Sequence, residues 1–555
     1  MRPLLCTVLL AVLVAASPAA AQAVPTLEGV ILLGTTPHPN RQLGACAAAA
    51  DIPVGPGTPP AGPLALGGAS GGNAAYIFRE AAGEWAQAQT VSPAVGGLFG
   101  LACAASADGV LLAVGAPGRE PPPAGGGMYP GVAHLFRYDA VSGAWGDETV
   151  LRVADLPASR HFGQSVAVAR DGLGADATEE RLLALGGHDA WMMRRANAQD
   201  SAWTEDARLR PEGNDTFSGL AVVWGAPYQR AAVARGRDGL WRAMAGGPYT
   251  LGGTYRGSAY IWRLDTTSGS WVREARFVGA SNGTCLGHSV ALGEAGGVWL
   301  AAAGATQGCV GGGVGTGYVV VWRLEPGVGG GPGAWVEEAR LTVPEGGLAD
   351  FGYAVALSAG SGGAVGGGGP PVLVASAWSR TGASSPPVGA FVFVREPAAG
   401  GGVTWRPVAK LGTATAASPY GSGWSVGVSG AAAVVGHPEE DTAGMDAGAL
   451  FAYDLTGVLT AGEPGPAPTA LALAAPTPHP VRGAARLNYS LPVASDVRLA
   501  LYDALGRSVW RHAAPAQPAG AHAVTLDARA LAAGVYVLRL AAGGAAVSRR
   551  VVLIP

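Results

Sequence analysis

The chain has 555 residues, with 89 Gly, 41 Pro and a formal net charge of −3. So much Gly and Pro excludes long uninterrupted helices, because these are the two poorest helix formers. The 15 Trp and a charged fraction of only 14% exclude a disordered chain, and the small net charge gives no indication of binding to nucleic acid or to an anionic membrane. A long, turn-rich, all-β protein with more than one domain is therefore expected.

The first 21 residues have the pattern of a secretory signal peptide. Arg2 supplies the positive charge, residues 4–16 form an apolar segment, and Ala19–Ala21 offer the small residues that signal peptidase requires before Gln22. The apolar segment is shorter than a membrane-spanning helix needs to be. Export of the chain from residue 22 onward is therefore expected, with a retained membrane anchor as the alternative.

From about residue 27 to about residue 456 the sequence repeats every 60 residues or so. Each unit contains an aromatic-Gly or Leu-Gly step with a small-residue strand, an apolar strand ending in a Gly-Ala turn, an aromatic-aliphatic strand, and a strand that begins with Trp. The clearest steps are Phe99-Gly100, Phe162-Gly163 and Phe351-Gly352, and the clearest turn is Gly115-Ala116-Pro117. The Trp residues that begin the fourth strands are Trp85, Trp145, Trp203, Trp271, Trp335 and Trp405.

The fourth unit has two candidate starts. Either Phe217-Ser218-Gly219 or Pro227-Tyr228-Gln229 begins it. We prefer the second start, because residues 229–235 match residues 164–170 and make the spacing more even.

Four short antiparallel strands per unit of this length are typical of the blades of a β-propeller. Independent sandwich domains fit less well, since such domains take about 100 residues each. Seven first strands are present but only six Trp-led strands, and an isolated strand at residues 26–33 precedes the first unit. We therefore predict a seven-bladed β-propeller over residues 22–456, in which residues 27–33 pair with residues 448–454 and complete the seventh blade.

These steps and turns resemble FG-GAP repeats, the units of the integrin α-subunit head and of many bacterial surface proteins. The resemblance implies the propeller fold but names no particular activity. Integrin-type repeats often hold calcium in a D-x-D-x-D-G loop, and the acidic stretches of this chain, residues 171–180 and 439–446, lack that spacing. They are interpreted as solvated acidic loops, so no cofactor is predicted, with calcium as the alternative.

Four cysteines remain after removal of Cys6 with the signal peptide, and an extracellular location permits disulfides. Cys285 and Cys309 belong to one unit, and a bridge between them is expected. Cys46 and Cys103 lie on the first strands of neighbouring units, and they can pair if their Cα atoms come within about 7 Å. Unpaired buried thiols are the alternative for both pairs.

The repeat units carry no familiar catalytic motif. His188 and His437 follow the Gly of the second strand in units four apart, so they are interpreted as turn residues and not as metal ligands. No G-x-S-x-G, H-E-x-x-H or phosphate-loop sequence is present. No catalytic, cofactor-binding or metal-binding residue is therefore predicted, and the chain is predicted not to be an enzyme.

The most variable loops follow the Gly-Ala turns, as at residues 117–131, 305–317 and 379–389. In a propeller these loops share one face with the loops that precede each step, and binding sites usually lie on such loops. The leading hypothesis is a secreted or surface-displayed protein that binds an extracellular protein or glycan. The alternatives are a hydrolase or lyase with its site in the axial channel, and a structural surface component.

After residue 456 the composition changes. Residues 457–471 are rich in Pro and Gly and form a linker, and residues 472–555 contain six or seven short alternating strands. This pattern predicts a small Ig-like β-sandwich.

The last segment resembles the C-terminal sorting domain of type IX secretion cargo. Leu505-Gly506-Arg507 and Gly534-Val535-Tyr536 carry the resemblance, together with Pro478-His479-Pro480 and the basic-apolar ending Arg549-Arg550-Val551. The resemblance implies recognition by the type IX secretion machinery and export through the outer membrane, often with removal of the domain. We expect a location outside the cell or on the outer-membrane surface, with no transmembrane segment after signal removal.

Overall fold

The computed structural model describes residues 26–554 except residues 35–41, 53–57, 60, 94–96, 119–130, 154–160, 173–176, 197–201, 214, 218–228, 251–254, 296, 307–315, 328–332, 344–349, 359–368, 379–388, 399–401, 413–422, 442–446, 460–469, 475, 477–479, 494, 518–519 and 530. The chain divides into two compact units, Met1–Leu459 and Thr460–Pro555. The predicted signal peptide and most of the predicted linker lie outside the described residues.

The first unit begins with two short strands, β1 (Thr26–Glu28) and β2 (Val30–Leu32). Sheet 1 consists of β3 (Leu43–Ile52), β4 (Gly62–Ala69), β5 (Ala74–Ala81) and β6 (Glu84–Val91), with a 3-10 turn at Ser70–Gly72. Sheet 2 consists of β7 (Ala102–Ala105), β8 (Leu111–Ala116), β9 (Val132–Asp139) and β10 (Ala144–Leu151). Sheet 3 consists of β11 (Ser165–Arg170), β12 (Glu180–Gly186), β13 (Asp189–Arg195) and β14 (Thr204–Leu209).

Four further sheets follow in the same order. Sheet 4 consists of β16 (Ala231–Arg235), β17 (Trp241–Gly247), β19 (Ser258–Asp265) and β20 (Ser270–Val278), beside a two-stranded sheet of β15 (Asp215–Thr216) and β18 (Tyr249–Thr250). Sheet 5 consists of β21 (Leu286–Ala295), β22 (Val298–Ala305), β23 (Tyr318–Glu325) and β24 (Ala334–Leu341). Sheet 6 contains β25 (Asp350–Ser358), β26 (Val372–Trp378), β27 (Ala390–Pro397) and β28 (Val403–Gly412). Sheet 7 contains β29 (Ser425–Ser429), β30 (Ala432–His437) and β31 (Ala449–Asp454), and a short helix α1 (Thr456–Leu459) ends the unit.

The seven sheets follow one another around a closed ring. The first strand of each sheet contacts the first strands of both neighbouring sheets, and β29 of sheet 7 contacts β3 of sheet 1. All seven first strands line one central cavity. The hydrophobic core is accordingly a series of clusters, most of them shared between neighbouring sheets.

The strand that precedes the first unit closes this ring, as predicted. Residues Val30–Leu32 pair antiparallel with β31 and complete sheet 7 as its fourth strand. The neighbouring residues Thr26–Glu28 pair in parallel with β28 and add a fifth strand to sheet 6, which the sequence did not indicate. One short segment therefore covers the outer edges of two sheets.

The periodic glycines mark places where neighbouring sheets meet backbone to backbone. A Cβ on Gly115 in sheet 2 would overlap the carbonyl oxygen of Gly163 in sheet 3. Gly163 itself has φ of +85°, a conformation that residues with a Cβ rarely adopt. The same contact recurs between Gly304 and Gly352. The Gly repeat is therefore a requirement of the contact between sheets.

The two candidate starts of the fourth unit each supply one part of it. β16 begins at Ala231, within the range that the preferred start predicts. The aromatic ring comes from Phe217, which packs edge-on against Tyr260 and Trp262 of sheet 4. Phe162 makes the equivalent contact with Trp191 in sheet 3. The fourth unit therefore keeps the aromatic contact of the step but separates it from the strand in sequence.

The second unit has two sheets that share one hydrophobic core. One consists of β32 (Ala472–Leu473), β33 (Ala484–Leu491) and β36 (Gly520–Asp527). The other has the order β35 (Ser508–Gln517), β34 (Ser495–Tyr502), β37 (Gly534–Ala542) and β38 (Ala545–Leu553). Leu487 from the first sheet and Leu499 and Leu538 from the second lie in this core. No helix in the described part of either unit is long and apolar enough to cross a membrane.

A disulfide joins Cys46 of sheet 1 to Cys103 of sheet 2, with the Cα atoms 5.7 Å apart. This pairing of neighbouring units is confirmed. Cys285 is also disulfide-bonded, but Cys309 lies outside the described residues, so the pairing of Cys285 with Cys309 stays a prediction.

Replacing both Cys46 and Cys103 by alanine is expected to lower the free energy of unfolding by about 4 kcal/mol, because the bridge closes a loop of 57 residues. Urea unfolding followed by Trp fluorescence measures the loss. In a reducing buffer the difference between the variant and the natural protein should shrink to about 1 kcal/mol or less, since the bond is then absent from both. An equal difference with and without reductant would assign the loss to packing instead.

Candidate functional site

The central cavity has a volume of about 210 Å³ and is lined by the first strands of all seven sheets. Its wall is made of small apolar residues, such as Ala47, Val168 and Val428. Gln229 is the one polar side chain among the described lining residues. Sites for small molecules usually measure about 300–1,000 Å³. The cavity is therefore small and apolar.

Gln229 spans this cavity. Its side-chain amide donates hydrogen bonds to the carbonyl oxygens of Ala47 (3.2 Å) in sheet 1 and Val426 (2.5 Å) in sheet 7, although Gln229 itself leads into sheet 4. The carbonyl oxygen of the same side chain accepts from the backbone N–H of Val426 at 3.4 Å. The described lining thus contains no acid-base pair, so a hydrolase or lyase site in this channel has no candidate residues there.

Gln229 is one of seven residues at equivalent positions near the beginning of the first strands, and three of the seven, Ala45, Leu101 and Gln229, line the cavity. In the other six sheets the equivalent residue directly follows the step Gly. The seven residues, in sheet order, are Ala45, Leu101, Gln164, Gln229, His288, Tyr353 and Trp424. Sheets 3 to 7 therefore present five consecutive polar or aromatic residues, which we call the mouth arc: Gln164, Gln229, His288, Tyr353 and Trp424.

Contacts between neighbouring sheets hold the mouth arc in place. The Nδ1 atom of His288 lies 3.0 Å from the carbonyl oxygen of Tyr353, and the two rings are 4.8 Å apart. The rings of Tyr353 and Trp424 are 5.7 Å apart at a steep angle. The three side chains are buried. They form one buried aromatic cluster across sheets 5, 6 and 7.

Gln164 is the exception within the mouth arc. Its side chain is buried, with 2% of its surface exposed. Neither the oxygen nor the nitrogen of its side-chain amide has a hydrogen-bond partner among the described residues. A buried amide without partners costs about 1–3 kcal/mol. Such a group in a native protein needs an explanation, and a ligand or an ordered water is one.

The sequence did not single out the mouth arc. The repeat motif drew attention to Phe99, Phe162 and Phe351, but these rings are fully buried against third-strand residues of their own sheets. Ala116 and Pro117 are buried as well. The residue after the step Gly varies from unit to unit while its neighbours repeat, and that variation was the signal available.

The loops expected to bind a ligand fall mainly outside the described residues, including most of 117–131, 305–317 and 379–389. The sequence suggested that residues 171–180 form a solvated acidic loop, but the described acidic residues of this stretch are held by hydrogen bonds and ion pairs. Asp171 accepts the backbone N–H groups of Thr178 (2.7 Å) and Glu179 (2.8 Å) and braces the loop. Burial raises the pKa of Asp171, but hydrogen bonds from Thr178 and Glu179 outweigh it and hold the pKa below its usual range.

Glu180 in the same stretch is buried in an ion-pair network between sheets 2 and 3. It accepts from Arg170 at 3.0 Å and from Arg195 at 2.8 Å, and it also pairs with Arg137 of sheet 2. Arg170 in turn pairs with Asp108 of sheet 2. These charges are used within the fold, and no group of three metal-binding side chains occurs in the part of the chain that the structure describes.

The two predicted turn histidines lie in different sheets. His188 is partly exposed in the turn between β12 and β13. His437 ends β30 and is buried, with its Nδ1 atom 3.2 Å from Oε2 of the buried Glu440. Asp446, the last acidic residue of that stretch, lies outside the described residues.

In the second unit, the predicted sorting-motif residues lie at turns and at the start of a strand. The Asp503 carboxylate accepts the backbone N–H groups of Leu505 and Arg507 (both 2.9 Å) and the Arg507 guanidinium (2.8 Å). The backbone N–H of Arg507 contributes most to holding the pKa of Asp503 below its usual range. Gly506 in this turn has φ of +78°. The turn from Asp503 to Arg507 is therefore closed by one carboxylate.

Gly534-Val535-Tyr536 opens β37. The Tyr536 hydroxyl donates to the carbonyl oxygen of Ala532 at 2.7 Å, and its ring is buried in the core of the unit. Val535 points the other way and is 53% exposed. Tyr536 is therefore structural, while Val535 is available for contact.

The second unit is also where a known family is found. Residues 477–554 match the family described as the secretion system C-terminal sorting domain. The match covers most of the second unit. The protein is therefore exported by type IX secretion to the cell surface or the medium, as the sequence motifs predicted.

None of the curated proteins matches the chain. Among solved structures, PorZ, an essential bacterial surface component of the type-IX secretion system of Porphyromonas gingivalis, is similar at 13% identity and a TM-score of 0.29, covering 89% of this chain and 64% of that chain. The α-L-arabinofuranosidase Arb93A of Fusarium graminearum (10%, 0.31) and the intramolecular trans-sialidase of Ruminococcus gnavus (10%, 0.33) are similar as well, each covering 78% of this chain and 99% of that chain.

One prediction is corrected by these comparisons. The absence of familiar catalytic motifs predicts that the chain is not an enzyme, yet the similar solved structures include an arabinofuranosidase and a trans-sialidase. The exclusion was wrong, because an active site can be assembled from residues that form no sequence motif.

Proposed function

We propose that the first unit, residues 22–456, is a seven-bladed β-propeller of the FG-GAP type that binds an extracellular protein or glycan. Residues 457–471 are a linker, and residues 472–555 form an Ig-like sandwich that directs export through the type IX secretion machinery. Support comes from the closed ring of seven sheets and from the match of residues 477–554 to the sorting domain.

The observation that carries the binding proposal is the mouth arc. It places the buried aromatic pair Tyr353 and Trp424 and the unpartnered amide of Gln164 at equivalent positions of sheets 6, 7 and 3. Aromatic faces with a few placed polar groups are the usual composition of a ligand site. A sugar ring or a polar peptide segment has the matching chemistry, since both offer apolar faces and hydrogen-bonding groups.

The test is a glycan and protein array probed with the mature chain, with and without calcium, followed by titration of any ligand found. Replacement of Gln164 by leucine is expected to weaken that ligand about tenfold, the equivalent of one or two hydrogen bonds. The same substitution should leave the free energy of unfolding unchanged or raise it, because it removes an unpartnered buried amide.

Gln87→Leu, on the outer strand of sheet 1, is the matched control and should leave ligand binding unchanged. Binding that Gln164→Leu does not weaken would place the ligand away from the mouth arc. Hydrolysis of an array glycan without stable binding would contradict the proposed function.

A further inference from the structure

The second unit differs in charge from the first. Residues 460–555 contain nine Arg and four acidic residues, a formal charge of +5, whereas the whole chain carries −3. The first unit is therefore acidic and the second is basic. The location of these arginines decides what that charge can do.

Four of the arginines lie on the outer face of one sheet. In β34, β37 and β38 the alternate residues Leu499, Leu538 and Val551 are buried in the core. The opposite face of the same sheet carries Arg498, Arg511, Arg539 and Arg550, all exposed. Arg511 and Arg539 flank Ala500 in one row across three strands, and Arg550 pairs with Val537. We call these four residues the basic face.

The basic face lacks internal neutralisation. None of its four arginines has a carboxylate partner in the described part of the chain, and Asp496 at the end of β34 is the one acidic residue on the same side. Elsewhere in the unit Arg507 pairs with Asp503 and Arg529 with Asp527, both at 2.8 Å. Four like charges left together on a flat sheet repel one another and favour an acidic partner.

Exposed apolar side chains lie among these arginines. Val535 and Val537 on β37 are 53% and 44% exposed and lie on the same side as Arg539. Arginine beside exposed apolar groups is the composition that protein interfaces favour. An anionic lipid or glycan would use the charges but would leave the valines without an apolar partner surface.

We propose that the basic face docks onto a protein whose surface is acidic around an apolar centre, at the outer membrane where the sorting domain is received. Charge complementarity accelerates the encounter and makes it sensitive to salt, and the valines become buried on contact. This inference concerns the second unit and does not depend on ligand binding by the first.

The test measures binding of the purified full-length protein to outer-membrane vesicles from the producing bacterium. The first variant removes three charges from the basic face: Arg498→Gln, Arg539→Gln and Arg550→Gln. The matched control removes three exposed arginines elsewhere in the same unit, none of them in the sorting motif: Arg482→Gln, Arg486→Gln and Arg529→Gln. Circular dichroism and the urea midpoint show that both variants remain folded. Two further arms use vesicles treated with protease and vesicles of pure phosphatidylglycerol.

The basic-face variant is expected to bind at least tenfold more weakly, and the control variant within about twofold of the natural protein. Raising the salt concentration from about 50 to about 500 mM and treating the vesicles with protease should each reduce binding by a similar factor. Equal losses in both variants would show that net charge alone acts and would overturn the proposal. Undiminished binding after protease treatment, or equal binding to phosphatidylglycerol, would identify a lipid and overturn the proposal, as would the absence of binding by the natural protein.

Discussion

Gly115→Ala is expected to lower the free energy of unfolding of the first unit by about 3 kcal/mol or more. A Cβ at this position would overlap the carbonyl oxygen of Gly163 in the next sheet, and that atom belongs to the backbone and cannot move aside as a side chain would. The two sheets would have to separate at a contact that recurs around the ring. Urea unfolding followed by Trp fluorescence measures the loss.

Gly146→Ala in the same sheet is the matched control. A Cβ on Gly146 would meet nothing within 4 Å, and the residue is exposed on the outer strand β10. Its replacement should change the free energy of unfolding by no more than about 0.5 kcal/mol. Similar losses at Gly115 and Gly146 would contradict the requirement for backbone contact between the sheets.

Glu338→Gln is expected to lower the free energy of unfolding by about 3 kcal/mol at neutral pH. The Glu338 side chain is 2% exposed and lies in sheet 5, where it accepts two hydrogen bonds from Arg395 of sheet 6 (2.9 and 2.7 Å). The indole N–H of Trp405, also in sheet 6, donates to it at 2.8 Å. An uncharged side chain would leave the Arg395 guanidinium without its carboxylate.

This contact also makes stability depend on pH. Burial raises the pKa of Glu338, but the hydrogen bonds and charges of Arg395, Trp405 and Arg323 outweigh it and hold the pKa below its usual range. A carboxyl whose pKa is lower in the folded state stabilises the protein above its unfolded pKa, about 4.3, and loses that contribution as pH falls through the folded value. Glu338→Gln should therefore reduce the dependence of stability on pH below about pH 4.

Glu337→Gln, at the position next to Glu338, is the matched control. The Glu337 side chain is 46% exposed and pairs only with the exposed Arg340 in the described structure. The substitution should change stability by about 0.5 kcal/mol or less at any pH. If the two variants had equal effects, Glu338 would not connect sheets 5 and 6.

The contact at Glu338 belongs to a series that the sequence revealed only in part. The Trp residues that begin the fourth strands were recognised as part of the repeat, and their rings bridge neighbouring sheets. Trp271 donates to Asp206 of the preceding sheet at 2.7 Å, and Trp335 donates to Glu274 at 3.0 Å. Each acidic residue lies three positions after the Trp of its own sheet. A sequence pattern cannot show which neighbour a side chain reaches, because that depends on how the sheets are arranged around the ring.

Features of the fold that depend on neighbouring residues could be predicted from the sequence. Period, strand order and closure by residues 30–32 could be predicted, because they follow from local alternation and from the count of strands. The sorting domain could be recognised as well, because its turns depend on short runs such as Leu505-Gly506-Arg507. Local hydrogen bonding and strand pairing are encoded within a few residues of the positions they determine.

Only the tertiary structure decided which residues from different units meet. Gln229 bonds to residues nearly two hundred positions away across the cavity, and Cys46 pairs with Cys103 because the first strands of sheets 1 and 2 lie side by side. The mouth arc and the unpartnered amide of Gln164 exist for the same reason. The physical cause is that these contacts depend on the distances between sheets, which are set by the backbone contact at Gly115 and its equivalents around the whole ring and by no single segment of sequence.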